Sequence, residues 1–144
     1  MSIILRPATK SDAAYLLNLE EECMRVYAEA LWGDWNQSDT VESLDIAGHE
    51  VIELDGKPVG CIAVIWHEDH IFIEKLYIAP AFQSRGIGSY VLDTKSYQAA
   101  QQGLPTKLSV LTTNPADRFY KQAGFVLEAE TLERRRFFKA VPTS

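Results

Sequence analysis

Hydrophobic positions recur with two different periods along this chain, and the change from one to the other near residue 49 divides it. Ile3 to Arg6 is a short β-type run closed by Pro7. Thr9-Lys10-Ser11-Asp12 then resembles a capping box in which Asp stands in for Glu. Ala13, Leu16, Leu17, Met24, Tyr27, Ala28 and Leu31 follow at helical spacing and predict a helix from Asp12 to Leu31, broken at most once. Trp32-Gly33-Asp34-Trp35 interrupts it, and a further short helical turn is expected within Ser38 to Ile46.

From residue 49 the alternation predicts strands. Glu50 to Leu54 and Val59 to Trp66 flank the turn Asp55-Gly56-Lys57-Pro58, a hairpin signal. The polar turn His67 to His70 leads into a third strand, Ile71 to Ile78. A helix is expected from about Gly88 to Gln102, with Gly103 suited to its end and Pro105 preventing its continuation. Leu108 to Leu111 is a strand. Asn114-Pro115 predicts a short helix to Ala123, with Asn as cap and Pro at the first helical position. Phe125 to Leu127 and Arg136 to Val141 are closing strands. This order predicts an α+β fold, a mixed sheet with antiparallel hairpins and one crossover helix.

Composition narrows the function. A chain of 144 residues is expected to form one domain, spanning 1–144, with one core. A net charge of −6 argues against a nucleic-acid partner, since neutralising a phosphate backbone requires a basic face. The cluster Arg134-Arg135-Arg136 reads as a surface strand paired with nearby glutamates. Cys23 and Cys61 lack metal-type spacing, and Cys61 lies in an apolar run. The residues before Pro7 are too few for a signal-peptide core, and no apolar run approaches membrane-spanning length, so a cytoplasmic protein with no membrane partner is expected.

The most informative local stretch is Gln83-Ser84-Arg85-Gly86-Ile87-Gly88, between the third strand and the following helix. A glycine turn that opens a helix offers free backbone N–H groups at the positive end of the helix dipole, a site suited to phosphate. A dinucleotide site needs a third glycine, and a P-loop needs Gly-Lys-Ser/Thr; here Gly88 is followed by Ser89-Tyr90.

The residues Leu76-Tyr77-Ile78-Ala79-Pro80-Ala81-Phe82-Gln83-Ser84-Arg85-Gly86-Ile87-Gly88 resemble the acyl-CoA motif of the GNAT superfamily of N-acetyltransferases, an apolar strand, Pro, then [QR]-x-x-G-x-[GA]. Leu111 to Phe125, with Asn114 and Phe119-Tyr120-Lys121-Gln122-Ala123-Gly124-Phe125, is similar to the family's strand, Asn and F-Y-x-x-x-G-F helix. The resemblance implies a GNAT fold: a mixed, mostly antiparallel sheet of six to seven strands with about four helices, splayed at an acyl-CoA slot. It implies acetyl-CoA as co-substrate with no metal, and direct transfer of the acetyl group to a primary amine in a ternary complex. The alternative is a non-catalytic acyl-CoA-binding sensor.

By the same resemblance, the CoA pyrophosphate would lie on backbone N–H groups of Arg85, Gly86, Ile87, Gly88 and Ser89, and Gln83 would hold the turn or donate to phosphate. Leu76 and Ile78 would border the pantetheine arm, and the Ile78 N–H would face the thioester carbonyl. Asn114 would bond the pantetheine arm and Tyr120 would protonate the departing thiolate. An alkylamine is protonated at pH 7 in all but roughly one molecule in two thousand, so a base is needed. Glu74 is the candidate, on the face of its strand shared with Leu76 and Ile78.

Trp32 and Trp35 are candidates for one wall of an acceptor groove, or for a plug joining helix to sheet. His67 and His70 are expected on a surface turn rather than around a metal. The acidic balance favours a small-molecule amine over a protein acceptor. The resemblance adds an expected homodimer, with the terminal strands as its candidate surface.

Overall fold

The computed structural model describes residues 2–142. Seven strands form one sheet: β1 (Ile3–Pro7), β2 (His49–Leu54), β3 (Lys57–Trp66), β4 (Ile71–Ile78), β5 (Thr106–Leu111), β6 (Val126–Glu130) and β7 (Arg134–Lys139). Their spatial order is β1-β2-β3-β4-β5-β7-β6. Every neighbouring pair is antiparallel except β4 and β5, which are parallel. A parallel pair needs a crossover, and α2 (Ile87–Gln101) supplies it. The other helices are α1 (Ala13–Trp32) and α3 (Asp117–Gln122). Three α-helices and two 3-10 turns, Lys10–Asp12 and Pro80–Phe82, thus stand where about four helices were expected.

Helix α1 runs unbroken. Its entry is fixed by Asp12, whose carboxylate accepts the Thr9 N–H at 2.8 Å and both terminal nitrogens of Arg6 at 2.9 Å. Arg6 also bonds Glu53 at 3.0 Å, so one guanidinium ties β1, β2 and the start of α1 together. Gly33, at φ 86°, takes the left-handed conformation that ends α1, with its N–H on the Glu29 carbonyl. The helical turn expected within Ser38 to Ile46 is a single one, closed by the Leu44 N–H on the Thr40 carbonyl at 3.0 Å, and it does not propagate; the Thr40 and Ser43 hydroxyls bond each other's backbone N–H. Ser and Thr compete for backbone groups in this way and disfavour a helix.

The two faces of the sheet carry different cores. Ala13, Leu16, Leu17 and Leu19 of α1 cover Val51 and Cys61 on one face. Ile87, Val91, Leu92 and Ala99 of α2 cover Ile62, Ile71, Ile73 and Leu108 on the other, where Tyr120, Phe125 and Phe137 extend the packing. The arginine cluster falls on β7, and Arg135 pairs with Glu130 at 2.9 Å and Asp117 at 3.1 Å, as a charged surface strand should. Among the described residues no helix is long and apolar enough to cross a membrane.

Strand β3 lies unusually close to β4 at Gly60. A Cβ there would sit 2.3 Å from the Tyr77 carbonyl oxygen, a backbone atom that cannot rotate away. Gly60→Ala is therefore expected to destabilise the protein by about 1–3 kcal/mol, read as a lower urea midpoint. An unchanged midpoint would show that β3 and β4 have slack at this register.

Candidate functional site

Strand β4 is paired along its length to β3 but only at its start to β5. The parallel register runs Ile71↔Thr106, Phe72↔Lys107, Ile73↔Leu108 and stops there. Beyond it the strands diverge, β4 held by β3 and β5 by β7. The separation begins at an irregularity: β3 passes from Ala63↔Lys75 to Val64↔Ile73, leaving Glu74 as an extra, exposed residue. A bulge of this kind turns a strand away from its ladder.

The divergence leaves backbone groups without strand partners. The Ala79 N–H bonds the Val59 carbonyl at 2.8 Å, so by antiparallel alternation the N–H and C=O of Ile78 and of Leu76 point away from β3, toward the opening. The Ile78 carbonyl is satisfied there by Gln83 Nε2 at 2.9 Å and by the Cys23 thiol at 3.3 Å. Gln83 thus holds the turn after β4 against the strand it leaves.

That turn is conformationally demanding. Ser84 and Gly86 both have positive φ, 62° and 82°. Gly86 precedes the first residue of α2, and the first helical bond is Tyr90 N–H to the Gly86 carbonyl at 3.1 Å. The N–H groups of Ile87, Gly88 and Ser89 consequently have no intrahelical acceptor. Gly88 lies under α3: a Cβ there would meet the Phe119 ring at 3.3 Å.

These features surround one cavity of about 350 Å³. Leu76, Ile78, Gln83, Gly86, Ile87, Gly88, Ser89, Asn114 and Tyr120 all line it. Arg85 does not, since its guanidinium lies over the Phe82 ring at 5.3 Å. Glu74 does not either; it lines a second, inner space between β4 and β5 that also reaches Leu76, Asn114 and Tyr120. Sequence reading missed the contribution of α1, from which Cys23, Met24 and Tyr27 form the remaining wall. The helical spacing of Met24 and Tyr27 predicted burial and carried no sign of what they would face.

Asn114 does not cap α3. Its N–H closes a turn on the Leu111 carbonyl at 2.9 Å, and the helix starts at Asp117 with Ala116 before it. The helix thus begins beyond the expected cap and first-turn proline, its first bond running from the Tyr120 N–H to the Ala116 carbonyl at 3.2 Å. The Asn114 side chain, without a hydrogen bond among the described residues, is left to the cavity. Tyr120 lies between Phe119, Phe125 and Phe137, with ring centroids 5.0, 6.1 and 5.5 Å away, and is 9% exposed. Burial pushes its hydroxyl up to about 12.

Trp32 closes α1 against the turn between β6 and β7, its indole N–H donating to the Glu133 carboxylate. Thr113 reinforces this contact by donating to the Tyr27 carbonyl at 2.7 Å. His67 and His70 stack at 4.5 Å on their hairpin turn, where His70 bonds Asp69.

A family model described as the acetyltransferase (GNAT) domain matches residues 46–127, more than half of the chain. No curated protein matches it by sequence. Among solved structures, the PaiA N-acetyltransferase of Thermoplasma acidophilum in complex with coenzyme A is similar with TM-score 0.74 and 17% identity, over 97% of this chain and 99% of that one. The ribosomal-protein-S18-alanine N-acetyltransferase of Escherichia coli gives TM-score 0.74 and 13% identity, over 99% and 96%. Naa50 of Arabidopsis thaliana, in complex with the bisubstrate analogue CoA-Ac-MVNAL, gives 0.72 and 19%, over 97% and 99%. At these identities the likeness is one of fold.

The burial of Tyr120 has a measurable consequence. Its hydroxyl should stay protonated past the ordinary tyrosine value of 10.0, titrating near 12 in the folded protein. Because the folded state then binds the proton more tightly, this group's contribution is intact below pH 10 and falls between about pH 10 and 12. NMR titration of the tyrosine ring carbons, assigned with Tyr120→Phe, checks it; a Tyr120 signal titrating at 10 would contradict the burial.

Proposed function

The chain belongs to the GNAT acetyltransferase family, and from that premise we propose that it transfers an acetyl group from acetyl-CoA to a primary amine, a small molecule rather than a protein. The observation that carries this reading is the end of β4–β5 pairing after Ile73↔Leu108. It leaves an open strand edge with the free N–H groups of α2 at one end and Tyr120 at the other. The residues fit the co-substrate. The N–H groups of Ile87, Gly88 and Ser89 suit a pyrophosphate, and positive φ at Gly86 aims the turn that presents them. The side chain of Arg85 is engaged with Phe82, so only its backbone is offered to phosphate.

Leu76 and Ile78 provide backbone groups to which an extended pantetheine arm can add as a strand would, with Asn114 opposite. The Ile78 N–H stabilises the oxyanion as the amine nitrogen bonds to the carbonyl carbon, while the Leu76 N–H, roughly 7 Å away along the same edge, is left to the pantetheine arm. The carbon–sulfur bond breaks as that intermediate collapses. Glu74, exposed at the bulge and lining the inner space, takes through water the proton the amine gives up, since it lies roughly 13 Å along β4 from Ile78. Tyr120 gives its proton to the leaving sulfur.

A tyrosine raised to about 12 is a weak acid, and against an exposed thiol near 8.5 the transfer would be uphill. Cys23 supports a smaller gap. It lines the same cavity, and burial pushes its thiol up to about 11. A CoA sulfur held in that environment is disfavoured as a thiolate in the same direction, which narrows the gap to Tyr120.

Tyr120→Phe is expected to lower the transfer rate by roughly 100-fold, within the range of general acid catalysis, while calorimetry shows little change in CoA affinity. The assay is thiol release over a panel of amines. Equal activity would remove Tyr120 from the mechanism. Acetyl-CoA binding with no turnover on any amine would favour a non-catalytic sensor.

A further inference from the structure

Helix α1 is tied to both sides of the split between β4 and β5. The Cys23 thiol donates to the Ile78 carbonyl of β4 at 3.3 Å. One helical turn later, the Tyr27 carbonyl accepts from the Thr113 hydroxyl, in the turn after β5, at 2.7 Å. The strands part between these two anchors, so α1 spans the opening. Met24 lies between the anchored residues, half-buried, on the helix face it shares with Tyr27.

Met24 lines the cavity of about 350 Å³ together with Cys23 and Tyr27. Among the described residues of α1 it alone also lines the inner space between β4 and β5, of about 130 Å³. Four other residues line both: Leu76 and Tyr77 on β4, and Asn114 and Tyr120 beyond β5. These five surround the junction of the two spaces, and they differ in stiffness. Leu76 and Tyr77 belong to a strand paired with β3, and the Tyr120 ring is packed among Phe119, Phe125 and Phe137. Met24 instead carries a flexible thioether side chain, of the kind that fills irregular space, on an anchored stretch of helix.

On the acetyl-transfer reading, the amine nitrogen lies at this junction. It must come within about 3.5 Å of a carbonyl carbon held in the larger cavity. It must also release its proton to water in the inner space, which Glu74 lines. With both of these neighbours of the nitrogen fixed, what remains is the carbon that bears it. The β4 side is closed by the strand and the α3 side by the Tyr120 ring, so that carbon faces α1 at Met24.

We propose that Met24 is a specificity-determining residue, which admits primary amines borne on an unbranched methylene and rejects those borne on a branched carbon. The inference rests on the acetyl-transfer reading and narrows its substrate class. A second carbon on the nitrogen-bearing atom would have to push the Met24 side chain against a helix that Cys23 and Tyr27 hold in place, and overpacking of that kind is costly. The α-amines of amino acids other than glycine carry such a carbon and are excluded.

Propylamine and isopropylamine test this, since they have the same atoms and charge and differ only in whether the nitrogen sits on a branched carbon. The wild-type protein should acetylate propylamine with a kcat/KM at least about tenfold above that for isopropylamine, the effect of one carbon that a close-fitting pocket does not accommodate. Met24→Ala should lose most of that preference, and Met24→Leu, close to methionine in volume, should keep it. Alanine and leucine both favour helix, so α1 is expected to form in each variant. Both amines are compared on the same protein, so any effect of a substitution on acetyl-CoA binding cancels in the ratio. Equal use of the two amines by the wild type, or an unchanged preference in Met24→Ala, overturns the role of Met24 while leaving acetyl transfer standing. Turnover of neither amine overturns the proposal together with the acetyl-transfer reading for alkylamines.

Discussion

The parting of β4 from β5 after three registered pairs is the constraint from which the site follows. Backbone N–H and C=O groups are obligatory hydrogen-bonding groups, and a strand edge left open inside a sheet must be matched by something else. Each strand is held away from the other by its remaining neighbour. Gly60 lets β3 close tightly on β4 at Tyr77, and β5 follows β7 through six registered pairs from Thr106 to Leu111. The opening is thus fixed by two well-formed ladders and requires no loose segment.

The same divergence sets the local electrostatics. With β5 withdrawn, α1, α3 and the turn before α2 converge on the gap and wall the cavity. Tyr120 and Cys23 are raised by burial as their leading cause, so both are kept neutral on opposite sides of the cavity. The free N–H groups at the start of α2 provide positive potential at one end without a charged side chain. At the other end, the bulge leaves Glu74 beside the inner space.

Much of the fold was legible in the chain. The period change at residue 49, the Asp55-Gly56 turn and the glycines after β4 and α2 fall where the elements change, because each rests on interactions among near neighbours. Errors occur where a distant or competing bond intervenes. Past Leu111 the chain first makes a turn closed by the Asn114 N–H, and α3 starts at Asp117 rather than at Pro115. Strict alternation placed Glu74 beside Leu76 and Ile78 on one face, and could not register the bulge that leaves it exposed.

By itself the sequence determined the order of elements, the glycine turn with its helix, and the paired motifs at 76–88 and 111–125, since these depend on spacing within a few residues. The tertiary structure decided which groups share a cavity. Cys23 reaches the Ile78 carbonyl across 55 positions of chain, and Thr113 reaches the Tyr27 carbonyl across 86. Such meetings follow from how the sheet twists and where it splits, which is a property of all the strands together. The motifs of the donor-binding turn were therefore readable along the chain, and the walls that meet around the cavity only in space.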